Sequence, residues 1–169
     1  SNLRRQRQMC IRDSYEGDDE PALTSRPYGL NLQHKHVPEM QEYAQLAHAP
    51  LFAPSVGHFY KGMLVQIPLF ARELAKTATP EDIAAIWRER YGQEQFINVM
   101  EPGASSELDA GFLAATACND TNRLDLMVYG HAEQMLLVAR LDNLGKGASG
   151  AAVQLSLIHI SEPTRPLII

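Results

Sequence analysis

Apolar positions along this chain follow two periods, and each period marks an element. Residues 62–70 alternate, with Met63, Val65, Ile67 and Leu69 against Gln66 and Pro68, which predicts a half-buried strand. Pro68 brings no N–H to a ladder, so that strand belongs at an edge or ends there. Residues 124–129 alternate in the same way, 96–100 read as a further strand, and 135–141 hold the continuous apolar run of a buried one. Between them, Thr79-Pro80-Glu81-Asp82 is a helix start with a threonine cap, a first-turn proline and acids near the N-terminus. Ile83, Ile86, Trp87 and Tyr91 would then form the buried stripe, and Gly92 can end the helix. Upstream, 28–36 can run as a strand that breaks into a helix at Pro38 and Glu39, with Met40, Tyr43, Ala44 and Ala47 on one face. Residues 51–53 suit a short strand, 102–111 a polar loop, 130–133 a turn, and the acidic stretch 15–26 a loop or truncated edge. Several strands with two helices and short turns predict an α+β fold, a sheet with helices on one face.

Both ends depart from this pattern. Met9-Cys-Ile-Arg-Asp-Ser14 and Leu155-Ser-Leu-Ile-His159 can be encoded by opposite strands of one short DNA, as a translated sequencing-library adapter would be. We therefore expect 1–14 and 155–169 to be adapter-derived and set them apart from the fold. What remains, 15–154, reads as a piece of a longer gene. The whole chain has 15 Lys and Arg against 20 Asp and Glu, a net −5; without the two ends 10 and 18 remain, a net −8. Such an acidic balance argues against a nucleic-acid partner. Cys10 belongs to the adapter-like end, so Cys118 alone is left, a small buried apolar residue by expectation, and no internal disulfide can form. A reducing, cytoplasmic setting fits, and no apolar run has the length of a membrane helix.

Candidate chemistry gathers in two places. In 141–154, the apolar strand leads into Leu-Asp-Asn-Leu-Gly-Lys-Gly-Ala-Ser-Gly, where Gly145 and Gly147 allow a tight turn and small residues can open a helix. Free N–H groups and the Lys146 ammonium would then face one point and suit a phosphate-bearing ligand, although the Walker spacing is absent. A glycine loop capping a helix beside a solvated lysine is the plainer alternative. In His34-Lys-His-Val-Pro-Glu39, two histidines at i and i+2 of a strand would share a face while Lys35 points away. They can be ordinary surface histidines, two ligands of a metal completed by His48, His58 or Glu39, or a proton-moving pair.

These segments resemble a family. His-Lys-His-Val-Pro-Glu-Met matches the HxHxPE motif of N-acetyl-gamma-glutamyl-phosphate reductases, most closely the shorter type 2 form. The stretch 48–65 resembles the loop and strand that follow the motif there, and 141–154 resembles the DNLxKGA(A/S)GxAVQ return helix. The resemblance implies a mixed, largely antiparallel sheet like the second domain of glyceraldehyde-3-phosphate-dehydrogenase-like enzymes, with a catalytic and dimerisation domain over 15–140 and a segment returning to the cofactor domain over 141–154. It also implies an NADP-dependent reduction of a small-molecule acyl phosphate. In that chemistry a cysteine thiolate forms a thioester and NADPH delivers hydride. By the same resemblance His36 is the acid/base and His34 its supporting or substrate-binding neighbour. Asn143, Lys146 and Gly147 lie on the cofactor side, and Lys61 is either a substrate-phosphate contact or a surface lysine. The intact enzyme would be a homo-oligomer. Two departures stand out: no Asn-Cys-Tyr nucleophile precedes His34, and no Gly-rich dinucleotide fingerprint is present. The chain by itself is therefore expected to lack reductase activity. A reductase acting on an aminoadipyl or aspartyl phosphate, and a non-catalytic histidine-based metal module, are the alternatives.

Overall fold

The computed structural model describes residues 25–161; the end segment 1–14, most of the acidic stretch 15–26 and residues 162–169 of the second adapter-like end lie outside it. The chain divides after Phe59 into two compact units.

In the first unit, β1 (Ser25–Pro27) pairs antiparallel with β2 (Ser55–Gly57), so a strand begins at the end of the stretch expected to be a loop or truncated edge, and another forms just after 51–53. The strand predicted over 28–36 does not form. Its ladder ends with the three-residue pairing, and Gly29 (φ +63°) and Leu32 (φ 57°) then turn the chain through the left-handed region. The Leu32 N–H donates to the Gly29 carbonyl at 2.9 Å and the Val37 N–H to that of His34 at 3.0 Å, so the backbone groups a sheet would have paired are satisfied inside turns. Helix α1 (Val37–Tyr43) starts with Pro38 in its first turn as the sequence indicates. None of its residues is fully buried; Met40 is partly covered and Tyr43 is 86 % exposed, so the expected apolar face is largely open.

The second unit is built on a four-stranded sheet. β3 (Met63–Phe70), β8 (Gln134–Leu141), β7 (Leu124–His131) and β4 (Ile97–Val99) lie in the order β3-β8-β7-β4, antiparallel except for the parallel β4–β7 pair. This is the expected mixed, largely antiparallel sheet. β3 is an edge strand, where Pro68 is tolerated, and β8 with its long apolar run is central. Gly130 lies at φ +117° where β7 turns into β8, and a Cβ there would sit 2.2 Å from the Gln134 carbonyl oxygen, so only glycine fits. The polar loop 102–111 carries a small hairpin onward, β5 (Leu108–Asp109) with β6 (Phe112–Leu113).

Strand alternation sends side chains to two cores. On one face Val128 and Met135 meet Ala84 of helix α2 (Pro80–Tyr91), with Leu69, Ile83 and Trp87 around them. Thr79 caps α2 as expected: its hydroxyl accepts the Asp82 N–H while the Asp82 carboxylate accepts the Thr79 N–H at 2.8 Å. Ile86, expected in the buried stripe, is 57 % exposed. Pro80, Ala84, Trp87 and Tyr91 recur at i, i+4, i+7 and i+11, and Ile86 lies about 200° around the helix from Ala84. On the opposite face Met127 and Val138 pack with Ala104, Leu64 and Met100. After β8 the chain passes through a π turn, Gly145–Ser149, into helix α3 (Gly150–Ser161). Among the described residues no helix is long and apolar enough to cross a membrane.

Candidate functional site

Turns, not a strand, bring the two histidines together. The His34 and His36 rings are 5.1 Å apart, and His34 also meets the Phe52 ring at 5.0 Å and Tyr28 at 6.0 Å, edge to face. The expected shared face is therefore reached by another route: because 34–36 bend into the first turn of α1, the His36 N–H donates to His34 Nδ1 at 3.3 Å. With Nδ1 accepting, the neutral His34 ring carries its proton on Nε2. His36 is held differently. Its Nδ1 donates to Glu39 Oε2 at 2.6 Å, with the two side chains 49 % and 61 % exposed. A carboxylate accepting from Nδ1–H fixes the tautomer and leaves Nε2 as the acceptor nitrogen of the neutral ring. Glu39 follows His36 by three residues across a helix start, which puts it within reach. Sequence reasoning placed Glu39 at the helix N-terminus and among metal ligands and missed this role. Among the described residues no three His, Cys, Asp or Glu side chains converge as metal ligands.

The remaining site candidates lie in the second unit. Lys61 is ion-paired to Asp120 and lies 3.8 Å from Asp142, and the Asp120 hydrogen bond holds its ammonium above the ordinary lysine range against the effect of burial. Asn143 Oδ1 accepts the Gly62 N–H at 2.8 Å, and Asn119 Nδ2 donates to the Lys61 carbonyl at 2.9 Å. The N–H groups expected to be free at the start of the glycine segment are partly taken. Asp142 Oδ1 accepts those of Leu144 and Gly145 at 2.9 and 2.8 Å, and the Asp142 carbonyl accepts that of Gly147 at 3.0 Å. An aspartate two and three residues ahead of a turn reaches its amides through a local ring, a signal present in Asp-Asn-Leu-Gly but not used. These N–H groups hold the Asp142 carboxyl below the usual aspartate range, that of Gly145 most of all. Lys146 has no carboxylate partner among the described residues, its Nζ lying 5.7 Å from the Phe96 ring centre. Gly147 is exposed, with no atom closer than 3.7 Å to where a Cβ would stand.

Cys118 is fully buried as expected, yet it is no mere apolar filler. Its thiol donates to Asp125 Oδ2 at 3.0 Å, and the same carboxylate takes Arg140 at 2.7 Å and Arg123 at 2.8 Å; Arg140 also pairs with Glu107. Burial and the Asp125 charge push the thiol above its ordinary value, the opposite of what a nucleophilic cysteine needs.

Comparison with known proteins agrees with this architecture. Residues 18–143 match the family described as semialdehyde dehydrogenase, dimerisation domain. The chain is 47 % identical over 148 residues to N-acetyl-gamma-glutamyl-phosphate reductase 2 of a Nostoc species, covering 84 % of this chain and 46 % of that protein. It is 48 % identical over 128 residues to the N-acetyl-gamma-glutamyl-phosphate reductase of Sinorhizobium fredii, covering 75 % and 41 %. The chain thus spans less than half the length of these curated relatives.

Proposed function

Because this chain belongs to the semialdehyde dehydrogenase family through its dimerisation domain, we propose that it serves an NADP-dependent reductase that converts N-acetyl-gamma-glutamyl phosphate to N-acetylglutamate semialdehyde in arginine biosynthesis, in the cytoplasm. The observation that carries this reading is the His36–Glu39 pair inside a segment that matches the reductase motif. The net reaction replaces the acyl–phosphate C–O bond by a C–H bond, consumes a hydride and releases phosphate. Glu39 keeps the His36 proton on Nδ1, so Nε2 takes the proton of an attacking thiol and returns one to the carbonyl oxygen as charge develops there. His34, its Nδ1 engaged by the His36 N–H, offers Nε2–H as a neutral donor that orients the substrate. Cys118 is not the thiol, since it is buried and held protonated. The nucleophile is assigned to the part of the relatives' length that this chain does not span.

The cofactor, when bound, supplies the hydride. Residues on the cofactor side fit its phosphate-bearing portion: Lys146 has no competing carboxylate among the described residues, Gly147 is exposed, and Asn143 uses its Oδ1 on Gly62 and keeps Nδ2 available. Lys61 is engaged by two carboxylates, which favours a holding role over a substrate-phosphate contact.

A chimera tests the reading. Residues 28–154 would replace the matching part of the Nostoc relative, and phosphate-dependent NADP reduction with N-acetylglutamate semialdehyde would be followed. Activity is expected, with His36→Gln lowering kcat by about 10²- to 10⁴-fold and Glu39→Gln by less. A folded chimera without activity, or one indifferent to His36→Gln, would overturn the proposal.

A further inference from the structure

We infer that Asp142 is a positioning residue, with Lys61 as its counter-charge, that presets the turn at residues 143–147 for a phosphate-bearing nucleotide. The inference rests on the cofactor-side reading of Asn143, Lys146 and Gly147 and adds what holds those residues in place. An ordinary turn-capping aspartate reaches only the amides just after it. Asp142 does that for Leu144 and Gly145 with Oδ1, but it is 1 % exposed and uses Oδ2 elsewhere: it accepts the Asp120 N–H at 2.9 Å and faces Lys61 at 3.8 Å. One carboxylate thus joins three parts of the chain, the start of β3, the loop before β7 and the segment after β8.

The neighbouring residues are matched to it. A Cβ on Gly145 would lie 3.0 Å from the Asp142 carboxyl carbon, so glycine there makes room for the carboxylate. The Gly147 N–H reaches back five residues to the Asp142 carbonyl, and Ser149 does the same to Leu144 at 3.1 Å, which is the π turn that opens the helix start. Asn143 is fastened separately to Gly62. Among the described residues Lys146 and Gly147 are left with no carboxylate against them, on a turn whose shape Asp142 sets. Because Lys61 faces Asp142 and Asp120, the same arrangement gives it a reason to be a lysine without a substrate contact.

The test uses the 169-residue chain, ¹⁵N-labelled, with NADP⁺ as the probe. Asp142→Ala is expected to speed amide exchange at Leu144 and Gly145 by about tenfold or more and to remove NADP⁺-induced shifts at Lys146 and Gly147. Asp142→Asn keeps an oxygen for those two amides and is expected to restore exchange to within about threefold of the parent. Lys61→Met leaves the backbone hydrogen bonds to Asp142 in place and serves if Asp142→Ala does not fold; it should speed exchange at Asp120 and weaken NADP⁺ binding severalfold. Unchanged exchange in Asp142→Ala, or NADP⁺ shifts equal to the parent's, would overturn the assignment. Absence of NADP⁺ shifts in the parent, with protection still lost in Asp142→Ala, would instead remove the nucleotide and defeat the cofactor-side reading, leaving Asp142 as the organiser of the turn.

Discussion

Asp125 is fully buried on the face of the sheet away from α2, and its charge is tolerable only because a thiol and two guanidinium groups share it. Burial by itself raises its pKa; the Cys118 S–H, Arg140 and Arg123 outweigh burial and leave the carboxyl below the usual aspartate range. Asp142 is lowered too, through the N–H groups of Gly145, Asp120 and Leu144. A carboxyl with a folded pKa below its unfolded one stabilises fully above the unfolded value and loses that contribution as pH falls through the folded one. Stability should therefore be flat for these groups above about pH 5 and fall from about pH 4 downward, read as urea midpoints across pH. Arg140→Met strips Asp125 of its buried partner, and a loss of about 3–5 kcal/mol in the same titration is expected. A midpoint unchanged in Arg140→Met would show that the network contributes little. None of this was legible beforehand. Cys118 is seven residues and Arg140 fifteen from Asp125, and no local spacing rule links side chains across a sheet.

Among the elements, α2 shows how much a local signal can carry. Thr79, Pro80 and Asp82 act within one turn, so the helix start found is the one the residues spell out. Thr79→Ala removes the hydroxyl acceptor and should cost about 1 kcal/mol, measured as a lower urea midpoint with faster exchange at the Asp82 amide; no change would mean the cap is redundant. The stripe of α2 was half legible, since periodicity identifies a face but the partner sheet decides its centre, and Ile86 fell outside it. Residues 28–36 failed for a related reason. A strand needs a partner, β2 offers only three residues, and the chain turns at Gly29. That turn brings the His34 and His36 rings to 5.1 Å although the element was misread.

For the whole molecule, the sheet carries an apolar strip that its own helix leaves open. Met63, Val65 and Ile67 are 37 %, 41 % and 50 % exposed on the face where α2 covers Leu69 farther along β3. The matched family is described as a dimerisation domain, and we predict that a second copy covers this strip. Ile67→Glu should then shift the chain toward monomer in sedimentation velocity without lowering its thermal midpoint by more than a few degrees. An unchanged oligomer would place the contact elsewhere.

What the amino-acid sequence determined by itself is whatever acts over a few residues. Strand alternation, the cap at Thr79, Pro68 at an edge, the glycine turn after β8 and the motif around His36 all depend on neighbours along the chain. The tertiary structure alone decided which nitrogen of each histidine is engaged, that Asp142 ties three segments, and that Cys118 sits in an ion-paired network. These depend on groups far apart in sequence whose burial removes water as a partner. Each must then be satisfied by whichever charge or N–H the fold brings to it.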